Sequence, residues 1–134
     1  MIIFNGVPPT APAAAVPTTA LLIVAERIVF DMEITSTADG RLDWHMEFTS
    51  DDPLSPAARW YREVSEDDMG GGVVDMPAVA RNYVVTGAAV TRLSAQFVRA
   101  HRFVRLQLQQ TAAAGISRVR IEAPFGQAVL SPVS

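Results

Sequence analysis

His101-Arg-Phe-Val-Arg-Leu-Gln-Leu-Gln-Gln-Thr-Ala-Ala-Ala-Gly-Ile-Ser-Arg-Val-Arg-Ile-Glu-Ala123 decides the fold. In an extended chain Val104, Leu106 and Leu108 share one face, and Phe103, Arg105, Gln107 and Gln109 share the other. Beyond the small residues Thr111 to Gly115, Val119, Ile121 and Ala123 alternate with Arg118, Arg120 and Glu122. Alternation with period two marks strands with one face buried and one face wet. The stretch therefore reads as a β-hairpin around a small-residue turn.

A second stretch repeats the pattern nearer the N-terminus. Ile28, Phe30, Met32 and Ile34 alternate with Val29, Asp31, Glu33 and Thr35. Asp39-Gly40 is a turn pair, and Leu42, Trp44, Met46 and Phe48 then alternate with Asp43, His45 and Glu47. This also reads as a hairpin, apolar on one face and acidic on the other. Residues 82–86 read as a strand, and residues 90–97 fit a strand or a helix. Residues 56–64 fit a short helix or an irregular strand. Residues 65–72, with Glu66, Asp67, Asp68 and Gly70 to Gly72, read as a loop, and residues 73–79 as a short strand interrupted by Pro77. Short strands separated by turn signals predict an all-β, jelly-roll-like antiparallel β-sandwich. Its expected core is Ile28, Phe30, Met32, Trp44, Met46, Phe48, Val104, Leu106, Leu108, Val119 and Ile121.

Residues 1–19 carry no charged side chain and are rich in Ala and Pro. Proline fixes φ and removes a donor, so this segment is expected to be an extended N-terminal arm, with the β-sandwich domain over residues 20–134. Ile2, Ile3 and Phe4 give the arm an apolar tip. They predict contacts outside the sandwich, to a sister subunit or another protein. The alternative is that the tip folds back as an edge strand of its own sheet.

The 134 residues are 49% hydrophobic and 19% charged, which suits one folded domain rather than a disordered chain. There is no cysteine, which excludes disulfide and thiolate chemistry. The net charge of −3 argues against direct nucleic-acid binding. Residues 1–75 hold 13 acidic residues and 4 Arg, whereas residues 76–134 hold 1 acidic residue and 7 Arg. Such asymmetry steers self-association, or the two halves interleave in one sandwich and neutralise each other. No positively charged segment precedes an apolar run, and no apolar run approaches the ~20 residues of a membrane span, so neither a secretory signal nor a membrane partner is expected.

No residue pattern announces a reaction. Asp43, His45 and Glu47 share one strand face, but successive same-face residues lie about 6.6 Å apart along a strand, too far to chelate a cation without a further ligand. A solvated polar face is expected there. His101 has no second histidine beside it, Gly70-Gly71-Gly72 lacks the Gly-Lys-Ser/Thr ending of a phosphate loop, and no Gly-x-Ser-x-Gly elbow occurs. The expectation is no catalytic residue, no cofactor and no metal. Arg99, Arg102, Arg118 and Arg120 are candidate interface residues, while Arg105 is expected to pair with a carboxylate of the acidic half. Trp60 and Tyr61, beside a loop, are a possible glycan platform.

Two pieces resemble a family of small proteins encoded by tailed bacteriophages. One is Trp44-His-Met-Glu-Phe-Thr-Ser-Asp-Asp, a strand ending in a polar turn with Trp60 downstream. The other is Phe103-Val-Arg-Leu followed by Thr111-Ala-Ala-Ala-Gly115 and the last strand. The resemblance spans residues 28–123. That family is similar to discoidin-like jelly rolls. The resemblance implies a non-enzymatic structural protein of the virion, foremost a capsid decoration (cement) protein, assembled in the host bacterial cytoplasm. It further implies a homo-oligomer, most simply a trimer, bound to other virion proteins such as the major capsid protein. The alternative is a carbohydrate-binding module of a phage tail or fibre using Trp60 and Tyr61.

Overall fold

A computed structural model describes residues 1–22, 27–62, 81–98, 102–111, 113–123 and 129–132. The first strands are β1 (Ile2–Gly6), β2 (Val16–Pro17), β3 (Leu21–Leu22), β4 (Arg27–Ser36), β5 (Gly40–Thr49) and β6 (Tyr61–Arg62). They are followed by β7 (Arg81–Val85), β8 (Ala89–Val98), β9 (Phe103–Gln110), β10 (Ile116–Glu122) and β11 (Val129–Pro132). Together they form an all-β sandwich of two antiparallel sheets. One sheet has the order β1-β10-β4-β8. The other runs β11-β3-β9-β5-β6, with β2 also pairing β9 and β7 also pairing β5.

No helix occurs among the described residues, so none of them forms one long and apolar enough to cross a membrane. Residues 90–97, ambiguous in sequence, lie in β8. Their reason to be extended is β4, against which β8 pairs from Arg27↔Val98 to Ser36↔Ala89 without a bulge. Among the described residues 56–62, Tyr61–Arg62 forms a strand. The expected loop at 65–72 and strand at 73–79 lie outside the described residues, as do Arg99 and His101.

The apolar faces of both sheets meet in one core. Every residue of the expected core is buried, and Ile3, Leu21, Ile34, Leu42, Val85 and Ile116 join it. Burying such side chains contributes roughly 1.5–3 kcal/mol each.

Neither expected hairpin forms. β4 and β5 follow each other across Asp39-Gly40, yet they lie in opposite sheets, and so do β9 and β10. Period-two alternation specifies which face of a strand is buried. It is equally satisfied by a strand facing its sequence neighbour across the core. The three-residue link 86–88 likewise carries the chain from β7 in one sheet to β8 in the other. These three arches close one end of the sandwich and bond to each other. Thr37 N–H donates to the Gly115 carbonyl at 2.9 Å, and Gly87 N–H donates to the Asp39 carboxylate at 2.8 Å. The Ser36 hydroxyl donates to the Gly87 carbonyl at 2.8 Å.

The N-terminal segment folds back onto the chain's own sheets, the alternative left open for its apolar tip. β1 pairs with β10 from Ile2↔Glu122 to Gly6↔Val119, and Ile3 is 4% exposed in the chain's own core. The Met1 amino group donates to the Ala123 carbonyl at 3.2 Å. The chain then crosses to the second sheet, where Val16–Pro17 pairs with β9. The outer edge of β10 offers unpaired backbone groups, and an extended apolar segment satisfies them. Phe4 packs against the core, while Ile2 remains exposed.

The charge asymmetry is absorbed by interleaving. β4 and β5 come from the acidic half, and β8 and β9, which pair with them, come from the basic half. Arg92 bonds Glu33 at 3.0 Å and Arg105 bonds Glu47 at 2.8 Å, the second being the pairing expected for Arg105.

Candidate binding groove

The outer face of the second sheet carries a row of polar side chains. β5 and β9 pair with Asp43↔Gln109, His45↔Gln107 and Glu47↔Arg105 opposite each other. Their core-facing neighbours Leu42, Met46, Leu106 and Leu108 fix the opposite parity, so these six side chains share the outer surface. On the far side of β5, Asn82 of β7 lies opposite Asp43 and Arg62 of β6 opposite Glu47. A groove of about 330 Å³ runs over this surface. His45, Gln107 and Gln109 line its floor, with Arg62, Arg81 and Asn82 on one side and Ala15 of the N-terminal segment on the other.

Glu47 organises one end. Its Oε1 accepts from Arg105 Nε at 2.8 Å and from Gln107 Nε2 at 2.8 Å. The Arg105 guanidinium also lies over the Trp60 ring, 3.9 Å from its centroid, a cation–π contact. Trp60 is placed by the loop before it. There the Asp51 carboxylate accepts from the Arg59 backbone N–H at 2.8 Å and from Arg59 Nε at 3.2 Å, and these bonds hold the Asp51 carboxyl below its usual range. Arg105→Ala removes a partner from the half-buried Glu47 and the cover from Trp60. An expected loss of about 1.5 kcal/mol in urea unfolding, with the intrinsic Trp fluorescence changing in parallel, checks this. At the other end the Arg41 guanidinium is bonded to Asp43 at 2.8 Å, and Gln109 Nε2 donates to the Ala13 carbonyl at 2.7 Å.

His45 sits between Arg62 and Arg105. Burial first, then the charge of Arg62, holds its imidazole below the ordinary value; Arg105 adds to this and Glu47 opposes it. Glu47 stands 3.9 Å from His45 Nε2, and its charge is already engaged by Arg105. In the unfolded chain a histidine titrates near ~6.5, so below that pH the unfolded state takes up a proton that the folded state resists. The contribution of His45 to stability is thus fully present above that pH and is lost as pH falls through the depressed folded value. His45→Gln is expected to flatten that acid-side loss, measured as the urea midpoint against pH.

The residues singled out in sequence separate on the structure. Asp43, His45 and Glu47 do share one face, but no group of three acidic or histidine side chains able to hold a metal occurs among the described residues. Trp60 and Tyr61 do not form one platform. Neighbours in an extended chain point to opposite faces, and Trp60 lies with Arg105 while Tyr61 pairs with core-facing Phe48. Arg118 and Arg120 lie on the outer face of the first sheet, where Arg118 donates to Asn5 at 2.8 Å and Arg120 is 3.4 Å from Glu122. Arg102 precedes β9 in the other sheet, its guanidinium over the Phe103 ring. The interface set Ile2, Ile3, Phe4, Arg102, Arg118 and Arg120 is therefore not one patch, and Ile3 is internal. A depression on the first sheet's outer face, about 400 Å³, is lined by Asp31, Glu33, Arg92, Ser94 and Arg120. Its groups largely satisfy each other, with Arg92 bonded to Glu33 and Ser94 to Asp31. Sequence reasoning missed Arg62, Asn82 and Gln107 as members of one site, because strand pairing alone brings them together.

Fold and groove define an antiparallel β-sandwich with a polar surface groove on one sheet. No family model, curated protein or solved structure matches the chain.

Proposed function

We propose that this chain is a non-enzymatic structural protein of a bacteriophage particle, foremost a capsid decoration protein. The observation that carries the reading is the strand order. With β2 and β3 taken as one position, the sheets run β1-β10-β4-β8 and β2/β3-β9-β5-β7, and successive positions alternate between the sheets except β5 and β7, which are neighbours in the second. This supports a jelly-roll winding, as the resemblance to phage virion proteins implies. A decoration protein also needs an apolar contact surface. Tyr83, Val84 and Val90 are exposed on either side of the β7–β8 arch, at the end of the sandwich that the three arches tie together. In this reading the partners are the major capsid protein and further copies of the chain, with a trimer the simplest assembly, and the protein resides in the virion.

The test is cryo-electron microscopy of the parent particle with and without the chain. Added protein is expected to bind in a saturable manner at symmetry-related positions of the shell. Val84→Asp with Val90→Asp should reduce the occupancy while circular dichroism remains that of the wild type. Absence of the chain from the particle, or occupancy at the tail alone, would overturn the decoration reading.

A further inference from the structure

The geometry points to the groove on the second sheet as a binding site for a carboxylate-bearing saccharide. Three features converge on that ligand class.

The first is charge. Arg41 and Arg62 present guanidinium groups to the groove with Asp43 as its one carboxylate, while Glu47 at the rim is held by Arg105. With Arg41 paired to Asp43 and Arg105 to Glu47, Arg62 leaves this surface with a positive balance in a chain whose overall charge is −3, and an anionic ligand is the one that gains from it. Arg41 is engaged by Asp43. Arg62 is exposed and opposite Glu47 at the edge of the groove. Its planar fork matches a carboxylate with two parallel bonds.

The second is the neutral polar lining. Gln107 spends its amide N–H on Glu47, which leaves its carbonyl oxygen to accept from a hydroxyl. Asn82 presents a whole carboxamide, and His45 a largely neutral imidazole that both donates and accepts. Hydroxyl groups that donate and accept at once are what such a set complements, and a simple polyanion offers none. The rows Asn82–Asp43–Gln109 and Arg62–Glu47–Arg105 step across strands about 4.8 Å apart, comparable to one pyranose ring.

The third is Trp60. One face of its ring is covered by Arg105, which fixes the indole beside the groove at the Glu47 end and leaves it half-buried. An aromatic held in this way suits the apolar face of a sugar ring. The N-terminal segment completes the site, since Ala15 forms its opposite wall and Ala13 anchors Gln109.

The inference stands independently of the decoration reading. Isothermal titration calorimetry on the full chain tests it with four probes: hexamers of alginate and of galacturonate, uncharged cellohexaose, and a hexaglutamate peptide. At least one acidic saccharide is expected to bind, with cellohexaose and hexaglutamate each weaker by about tenfold or more. Arg62→Gln and Asn82→Ala, both at exposed positions, should each weaken the acidic saccharide by about fivefold to tenfold, and Arg118→Gln on the other sheet should leave it unchanged. Circular dichroism confirms that each variant is folded. The proposal is overturned if neither acidic saccharide binds, if cellohexaose or hexaglutamate binds as tightly, or if Arg62→Gln binds like wild type.

Discussion

Gln110→Leu is expected to lower the folding free energy by about 4 kcal/mol, although it exchanges a polar side chain for an apolar one of similar size at a buried position. Gln110 is 2% exposed at the end of β9. Its Nε2 donates to the Pro8 carbonyl at 2.9 Å and to the Ile116 carbonyl at 3.2 Å. Its Oε1 accepts from the Ile116 N–H at 3.2 Å. One carboxamide therefore ties the N-terminal segment, β9 and β10 together. Leucine would leave two carbonyls and one N–H without partners in a dry site, at roughly 1–3 kcal/mol each. The backbone of Gln110 is equally committed, since its carbonyl accepts from Ala11 N–H and its N–H donates to Pro9, both at 2.9 Å. Urea unfolding should show a lower midpoint with an unchanged slope, and amide exchange should accelerate at Ala11. A loss under about 1 kcal/mol would mean that water replaces the carboxamide.

Gly115→Ala is expected to cost about 3 kcal/mol. A Cβ at Gly115 would overlap the carbonyl oxygens of Ala38 and Asp39 in the neighbouring arch. These are backbone atoms, so no rotamer change relieves the clash. Gly40 provides the internal comparison. A Cβ there would stand 3.3 Å from the Gly115 nitrogen, a contact that a small shift accommodates. Gly40→Ala should therefore cost clearly less than Gly115→Ala in the same denaturation series. Equal losses would show that the arches separate rather than resist.

These two residues mark the limit of what the sequence discloses. Alternation placed Phe30, Trp44, Leu106 and Ile121 in the core correctly, because the burial of a strand face is written in its own residues. Gln110 continues the inward parity of Leu106 and Leu108, yet nothing local reveals that its partners are Pro8 and Ile116. Gly115 reads in the sequence as one member of a small-residue turn. The positive φ of that turn in fact falls on Ala114, at 52°, and glycine is needed at 115 for the close approach of another arch. The same reasoning explains the hairpins that do not form, since parity is local and pairing is not. The Arg105–Glu47 bond could be anticipated from charge alone. The groove could not, because it draws on four strands and the N-terminal segment, whose neighbourhood exists only after the sheets assemble.

The arches also have a consequence for biosynthesis. Ile2 waits for Glu122, Arg27 for Val98 and Leu42 for Gln110. No described ladder between long strands can zip up from a local turn, so a ribosome-bound chain holding only its first half has no complete sheet to form. Such distant pairing is slow, and it leaves unpaired strands open to neighbours meanwhile. The order of emergence therefore makes β10 the strand that closes the four-stranded sheet, and until it leaves the ribosome β1 and β4 have no bridge between them.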